Sequence, residues 1–353
     1  MMKKQQKQRV AALKAWATIR RKRREEAAKG TRLLEDFMTP ERIGSISHPE
    51  IATKFKKKKY GRGIICQFEK TPPNIVCGKF WELRWAFGCP LNCSYCYLRG
   101  TNRGNMRPRY IKVAQILSAL DEIFNDPNFN DGKPAILNSG ELCDSLMNPE
   151  IMSQICDKFE EQKKHKVLIL TKFGLKNAQF LLTKRRNNVI CAWSINAIPV
   201  AKMWESLAPS PEERIEAAST LSNCGYEVRV RIDPIFPIDN WKIYYEDLVY
   251  HIFFSFEPKR IILGTPRGLW KTLFYGRKAG VDMSWAKYFS KEETGWGKKL
   301  PLKLRAEIYK YMIDKLVGVG CNKRDISICK ETRELLGIIG YKYKPFVCQC
   351  YSK

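Results

Sequence analysis

The sequence holds no apolar run approaching the roughly 18–20 residues that span a bilayer. Its first residues, MMKKQQKQRVAALKAWATIRRKRREE, carry basic groups without the apolar core of a signal peptide. A membrane partner is therefore not expected, and the chain reads as cytoplasmic. It is also short of acid: 36 Asp and Glu face 63 Lys and Arg, a formal net charge of +27. So large a deficit points to a polyanionic partner, most often nucleic acid. There is no internal repeat of fixed period and no low-complexity tract beyond two basic blocks, so a repeat architecture is not expected.

What is present is enough for a large core. The 353 residues suggest one large domain or two ordinary ones, and 44% of them are hydrophobic. Thirteen cysteines would suit a secreted disulfide framework only in a far shorter chain. In a reducing compartment, clustered cysteines more often bind metal or do chemistry.

Composition divides the chain. Residues 1–60 carry 18 Lys and Arg against 6 Asp and Glu, with basic blocks at Arg20 to Arg24 and Lys54 to Lys59. Val10, Leu13, Trp16 and Ala17 stand at helical spacing beside the first block. The segment reads either as a solvated extension or as a phosphate-binding arm, and the basic remainder of the chain favours the arm. From about residue 80, strand-type runs alternate with amphipathic helix-type stretches. Strands are expected at Trp81–Phe87, Ala135–Asn138, Val167–Thr171, Val189–Ile195, Glu227–Ile232 and Arg260–Leu263. Helices are expected at Val113–Phe124, Pro149–Gln162, Ala178–Lys184, Pro211–Asn223 and Trp241–Phe254. Such alternation argues for βαβ units and a parallel sheet. The expected fold is α/β, a partial (β/α)6 barrel over residues 80–265. A basic extension (1–79) precedes it, and a cysteine-containing, substrate-facing region (266–353) follows. In such a barrel, functional residues sit just after the strands.

After the first strand comes Gly88-Cys89-Pro90-Leu91-Asn92-Cys93-Ser94-Tyr95-Cys96-Tyr97. The spacing is C-x3-C-x2-C, and the Gly, Pro, Asn and Ser around it suggest a loop rather than three core cysteines. Structural zinc sites usually take four ligands in two separated pairs. Here there are three, with no His nearby. A [4Fe–4S] cluster takes one ligand per iron, so three cysteines would leave one iron open to a small molecule.

This motif resembles the signature of the radical S-adenosylmethionine enzymes. The resemblance implies that Cys89, Cys93 and Cys96 hold a [4Fe–4S] cluster whose open iron chelates S-adenosylmethionine. An electron from a reducing donor then cleaves that cofactor to a 5′-deoxyadenosyl radical. Cys-Ser-Tyr-Cys-Tyr-Leu more narrowly resembles the spore photoproduct lyases, which split a methylene-bridged thymine dimer in DNA. Further stretches agree: Leu170-Thr171-Lys172, Trp193-Ser194-Ile195-Asn196, Ile232-Asp233-Pro234-Ile235, and the run from Ala208 to Gly225. The resemblance covers roughly residues 80–350 and is strongest over 81–240.

Roles follow from it. Lys172, at a strand end, either pairs with the cofactor carboxylate or is a solvated strand-end lysine. Ser194 offers a hydroxyl, Asn196 an amide to the ribose or to the fold, and Asp233 either holds a ribose hydroxyl or caps the next helix. Ser139-Gly140-Glu141 resembles a Gly-Gly-Glu that contacts the cofactor amino group, which makes Glu141 a candidate. Cys143 and Ser145 match a Cys-x-Ser in which the cysteine returns hydrogen to the product radical. Its other reading is a small buried hydrophobe. Ser145 is counted among the cofactor contacts. Tyr95 and Tyr97 flank Cys96 and either relay hydrogen back to the cofactor or pack over the cluster.

Cys321, Cys329, Cys348 and Cys350 form a possible second metal site, zinc or an auxiliary iron–sulfur cluster, although their spacing fits no simple finger pattern. Basic and aromatic residues from Lys259 to Arg267 and from Trp270 to Arg277 could line the mouth. The leading expectation is repair of a thymine-dimer lesion, with DNA favoured over RNA. The alternatives are modification of a DNA or RNA base by the same chemistry, and a nucleic-acid-binding protein with a structural metal.

Overall fold

The computed structural model describes residues 59–68, 71–72, 74–291, 293–294, 297–343, 348 and 350. Apart from Lys59 and Tyr60, the basic arm expected over 1–60 lies outside them.

Nine strands form one sheet: β1 (Lys59–Tyr60), β2 (Ile65–Phe68), β3 (Phe80–Leu83), β4 (Ile136–Asn138), β5 (Lys166–Thr171), β6 (Val189–Ser194), β7 (Glu227–Ile232), β8 (Arg260–Leu263) and β9 (Ile326–Ile328). Their order across the sheet is their order in the chain. β3 to β9 run parallel, whereas β1 and β2 add antiparallel at the β3 edge. β1 and β9 are the end strands, so the sheet stays open.

Parallel strands buried on both faces read as continuous apolar runs. β5 (KVLILT) and β6 (VICAWS) do so, and all six residues of β6 are buried. The side chains divide by period two. Val167 and Ile169 join the main core, to which the helices contribute, whereas Leu168, Ile190 and Ala192 form a separate cluster with Ile136 and Leu170. The helices among the described residues are α1 (Leu98–Thr101), α2 (Val113–Asn125), α3 (Pro149–Glu160), α4 (Leu175–Thr183), α5 (Ile198–Trp204), α6 (Pro211–Asn223), α7 (Trp241–Ser255), α8 (Trp270–Lys278), α9 (Leu302–Gly318) and α10 (Arg333–Ile338). Those that lead into β5 and β7 begin as their sequences specify. In α3 (Pro149–Glu160), Asn148 caps by accepting from Ile151 N at 3.0 Å. In α6 (Pro211–Asn223), Ser210 and Glu213 form a reciprocal capping box.

Three expectations change. The strand expected over Trp81–Phe87 breaks after Leu83. Arg84 N donates to Ile64 O at 2.7 Å, and Ala86–Phe87 leaves the sheet to pair with Arg109–Tyr110. The extension expected to reach residue 79 already contains β1 and β2. The region after 265 supplies β9, parallel to β8, as well as α8 (Trp270–Lys278), α9 (Leu302–Gly318) and α10 (Arg333–Ile338). A short ribbon pairs Ile75–Val76 with Glu331–Thr332 and joins the β3 side to the β9 side. Among the described residues, no helix is long and apolar enough to cross a membrane.

Candidate active site

The C-terminal ends of the parallel strands surround one cavity of about 580 Å³. Its walls come from the loop after β3, the turns after β4 to β9, and Cys77, Cys348 and Cys350.

The loop after β3 carries the cysteine triplet. Gly88 precedes it at φ +83°, where a Cβ would lie 2.4 Å from Arg107 O, so only glycine fits without displacing backbone. Cys89 N then donates to Met106 O at 2.9 Å, and Asn92 turns the chain at φ +52°. Cys89 and Cys93 are buried among Leu91 and Leu98, with Cys96, Met106 and Phe173 packed against them. Burial pushes all three thiols up, Cys93 to about 12, while Lys172 pulls Cys93 and Cys96 back. These are soft, desolvated donors facing one cavity beside a cation, a chemistry that suits metal ligation. No three Cys, His, Asp or Glu side chains among the described residues are already gathered at ion-binding spacing, the loop triad included.

Behind the loop lies a buried charge network that the sequence did not announce. Glu205 pairs with Arg214 at 2.6 Å, and both side chains are fully buried. Tyr95 donates its phenol to Glu205, and Lys172 Nζ lies 4.0 Å from the same carboxylate. Burial works against the Glu205 charge, but Arg214 and Lys172 outweigh it and hold the carboxyl below its usual range. Lys172 also donates to Ser194 Oγ at 2.8 Å, and both line the cavity. Lys172 is positioned by Asp144, which accepts from Lys172 N and Thr171 Oγ1, both at 2.7 Å.

The β4 turn brings Glu141 and Cys143 into the same cavity. Glu141 accepts from Asn138 Nδ2 at 3.3 Å and faces Lys330 Nζ at 3.5 Å. Tyr97, which is 38% exposed, donates to the Glu141 carbonyl. Cys143 is 5% exposed, contacts Ser139 O at 3.5 Å, and is held well above the usual thiol range by burial and by Asp144. Trp285 also lines the cavity, and its buried indole N–H has no partner among the described residues. A cavity of this size, with convergent polar groups and a buried donor left over, fits a small polar cofactor.

Two expected contacts do not reach the cavity. Ser145 is fully buried, and its hydroxyl bonds Ser139 Oγ at 2.8 Å and Leu170 N at 2.9 Å. It ties the β4 turn to β5 instead. Asn196 donates to Pro234 O at 2.9 Å and accepts from Tyr245 OH at 2.7 Å, so its amide serves the fold. Asp233 does line the cavity, but as neither helix cap nor free acceptor. Arg267 holds both its oxygens at 2.6 and 2.7 Å, and Arg231 lies at 3.3 Å. These cations outweigh burial and keep the carboxyl charged. Gly264 leaves that pair its space, since a Cβ there would lie 2.4 Å from the Asp233 carboxyl. Glu205, Arg214, Asp144, Arg231 and Cys77 were missed. Asp144, Arg214 and Arg231 lie within or beside stretches that were singled out, but only the packing gives each of the five its role.

An open parallel sheet whose strand ends close around a buried three-cysteine loop defines a radical S-adenosylmethionine enzyme fold. The family model described as spore photoproduct lyase matches residues 68–260, more than half of the chain, and the chain belongs to that family. Curated relatives include the spore photoproduct lyases of Clostridium acetobutylicum, 27% identical over 183 residues (48% of this chain, 50% of that protein), and of Bacillus subtilis strain 168, 27% identical over 186 residues (52% of each). The chain thus spans about half the length of the curated relatives it matches. Among solved structures, spore photoproduct lyase complexed with dinucleoside spore photoproduct matches with a TM-score of 0.59 and 15% identity, over 70% of this chain and 75% of that one. A double mutant of that enzyme with bound AdoMet and the same dinucleoside matches with a TM-score of 0.59 and 16% identity, over 74% and 78%. These structures share the fold.

Proposed function

We propose that the chain is a radical S-adenosylmethionine lyase that repairs the methylene-bridged thymine dimer in DNA. The carrying observation is that the Cys143 thiol and the three loop thiols line one cavity, at the ends of adjacent strands. Cys89, Cys93 and Cys96 would hold the [4Fe–4S] cluster. When bound, the cluster supplies the electron that cleaves S-adenosylmethionine and so begins hydrogen abstraction from the lesion.

The chain's own groups do the rest. Lys172, with its ammonium fixed by Ser194 and backed by Glu205, would orient the cofactor carboxylate, and Glu141 its amino group. Cys143 would give its sulfur-bound hydrogen atom to the carbon-centred product radical, leaving a thiyl. Of the two tyrosines, Tyr97 suits the return of hydrogen to Cys143, because its phenol donates to the carbonyl of Glu141, two residues from Cys143, whereas the Tyr95 phenol donates to the buried Glu205 carboxylate. The apolar loop and Trp285 exclude water from the reacting atoms. At the mouth, α8 presents exposed Trp270 and Phe274, with Lys298 5.6 Å from the Trp270 ring centre. That surface suits stacking on a base extruded from the duplex. The proposed partners are DNA, bound in part through the basic arm, and a reducing electron donor.

The test is anaerobic reconstitution, reduction, and incubation with S-adenosylmethionine and a dinucleoside spore photoproduct. Thymidine should form with catalytic 5′-deoxyadenosine. Cys143→Ala should still cleave S-adenosylmethionine but lower the ratio of repaired thymidine to 5′-deoxyadenosine by about tenfold or more, since the quenching step is lost. An unchanged ratio would return Cys143 to the core. Cofactor cleavage with no thymidine would favour modification of a nucleobase.

A further inference from the structure

Six Lys and Arg side chains are buried among the described residues: Arg99, Arg186, Arg214, Arg229, Lys299 and Arg305. Five of them face a carboxylate. Arg186 pairs with Asp157 at 3.0 Å, Arg214 with Glu205 at 2.6 Å, Arg229 with Glu227 at 2.6 Å, Lys299 with Glu331 at 3.2 Å and Arg305 with Glu331 at 2.7 Å. Arg99, 2% exposed, does not. Its Nη2 donates to Asn92 Oδ1 at 2.6 Å and to Asn92 O at 3.1 Å, both neutral oxygens, and its Nε has no partner among the described residues. A guanidinium keeps its proton even when buried, and a buried charge without an opposite charge is costly.

The place of this cation is specific. Arg99 lies on α1, three residues after Cys96, and its N donates to Cys96 O at 3.2 Å. Its guanidinium grips Asn92, the residue before Cys93. α1 presses against α8, where a Cβ on Gly100 would lie 2.7 Å from Thr272 N, and Leu98, Arg99 and Gly100 are all buried.

We propose that Arg99 is the counter-cation of the [4Fe–4S] cluster on Cys89, Cys93 and Cys96 and raises its reduction potential. This role rests on the proposed cluster and names the residue that sets how readily it accepts its electron.

Ligation by three thiolates leaves the cluster with negative charge, and reduction adds the charge of one electron more. Cluster potentials follow net charge, hydrogen bonding and exposure. A fixed guanidinium beside an apolar loop, where little screens it, stabilises the reduced state more than the oxidised one. Thiolates on a cluster would also give Arg99 the anion that no carboxylate among the described residues provides. Burial pulls the Arg99 pKa below its ordinary value, while the Cys96 and Cys93 sulfurs, when ionised, raise it. Lys172, the other cation beside the loop thiols, has Glu205 at 4.0 Å to offset its charge. Arg99 also braces the turn at Asn92, so the test has to separate charge from bracing.

The full chain is reconstituted anaerobically as wild type, Arg99→Lys and Arg99→Gln, without S-adenosylmethionine, and iron is measured. Each protein is then titrated reductively, and the reduced cluster is followed by electron paramagnetic resonance. Gln keeps an amide that can donate to Asn92 but loses the charge, whereas Lys keeps the charge. At fixed solution potential, Arg99→Gln should lower the ratio of reduced to oxidised cluster about tenfold, a midpoint about 59 mV lower, and Arg99→Lys should stay within about twofold of wild type. With iron unchanged, an unmoved midpoint in Arg99→Gln, or an equal drop in both variants, would overturn the proposal. Should Arg99→Gln fail to hold iron, Asn92→Asp decides. It places a carboxylate where Oδ1 already accepts from Arg99, at a left-handed position (φ +52°) that Asp tolerates. It should stabilise the cluster-free chain against denaturant and lower the midpoint of the loaded one. A cluster-free chain that loses stability, or a midpoint that stays put, would overturn the proposal. Wild type that takes up no iron would remove the proposed cluster as well, whereas a full cluster with an unmoved potential removes the role of Arg99 alone.

Discussion

The two walls of the cavity treat sulfur differently. On the β3 side, three thiols share one eight-residue loop, and burial pushes each of them up. Buried acids, Asp144 and Glu205, stand nearby. On the β9 side, four thiols from three remote stretches share one apolar cluster, and Arg231 Nη1 lies 3.6 Å from Cys329 Sγ. The first wall keeps its sulfurs protonated until a cation displaces the protons. In the second, interactions with neighbouring thiols lower the pKa of Cys77 and Cys350 and raise that of Cys329 and Cys348. One protein can thus present sulfur in two states a short way apart, according to what lies behind it.

Breaking the first wall should have the largest effect. Replacing Cys89, Cys93 or Cys96 by Ala should bring the charge-transfer absorbance of the reconstituted protein and 5′-deoxyadenosine formation to background. A single variant that keeps both would remove the basis of the proposed activity.

Next comes the charge behind that wall. Glu205→Gln leaves the fully buried Arg214 guanidinium without its anion. Removing one partner of a buried pair costs roughly 3–5 kcal/mol, measurable by anaerobic denaturant unfolding. If stability falls by less than about 1 kcal/mol, Arg214 has found another anion and the network is not what sets the loop.

The smallest effect lies outside both walls and sharpens the contrast by giving a baseline. His165 sits just before β5, at the strand end remote from the cavity. Its Nδ1 accepts from Ala135 N at 3.2 Å. Burial, aided by Lys164, lowers its pKa to about 4 from 6.5. The fold therefore holds it neutral, and the unfolded chain binds the proton first. Stability should be unaffected above about pH 6.5, fall as pH drops toward 4, and lose no more from this residue below that. The loss should be about 2 kcal/mol after allowance for screening, and His165→Gln should flatten that part of the pH profile. A wild-type profile that is flat between pH 6.5 and 4 would contradict it.

Legibility in the sequence followed locality. The six strands from β3 to β8 could be read because parallel core strands are mostly apolar runs, and β7 (EVRVRI) alternates with period two. β9 could not, because three residues carry no period, and β1 is hidden in the basic run that ends at Lys59. The loop triad and the strand-end groups Lys172, Ser194 and Asp233 were legible because one short segment places each of them. Ser145 misled because the β4 turn folds back on itself and turns the hydroxyl toward backbone. Cys321 misled because nearness in sequence to Cys329 hides the strand between them, which sends the two thiols to opposite ends of the sheet. Cys77 and Cys329 share one cluster and one cavity because the ribbon brings together segments with no local signal in common.

The ribbon itself bears on how the molecule is made. It pairs Val76 with Glu331, 255 positions apart in the chain. Because order across the sheet equals order in the chain, a growing polypeptide can lay each of β3 to β8 beside its predecessor as it emerges from the ribosome, at small entropic cost. The ribbon must wait until residue 331 has been synthesised. Until then the three-cysteine loop stands on a sheet with one side open, and the segment around Glu331 walls it in. Any group destined for the loop therefore has freer access before residue 331 has been made than after the ribbon forms.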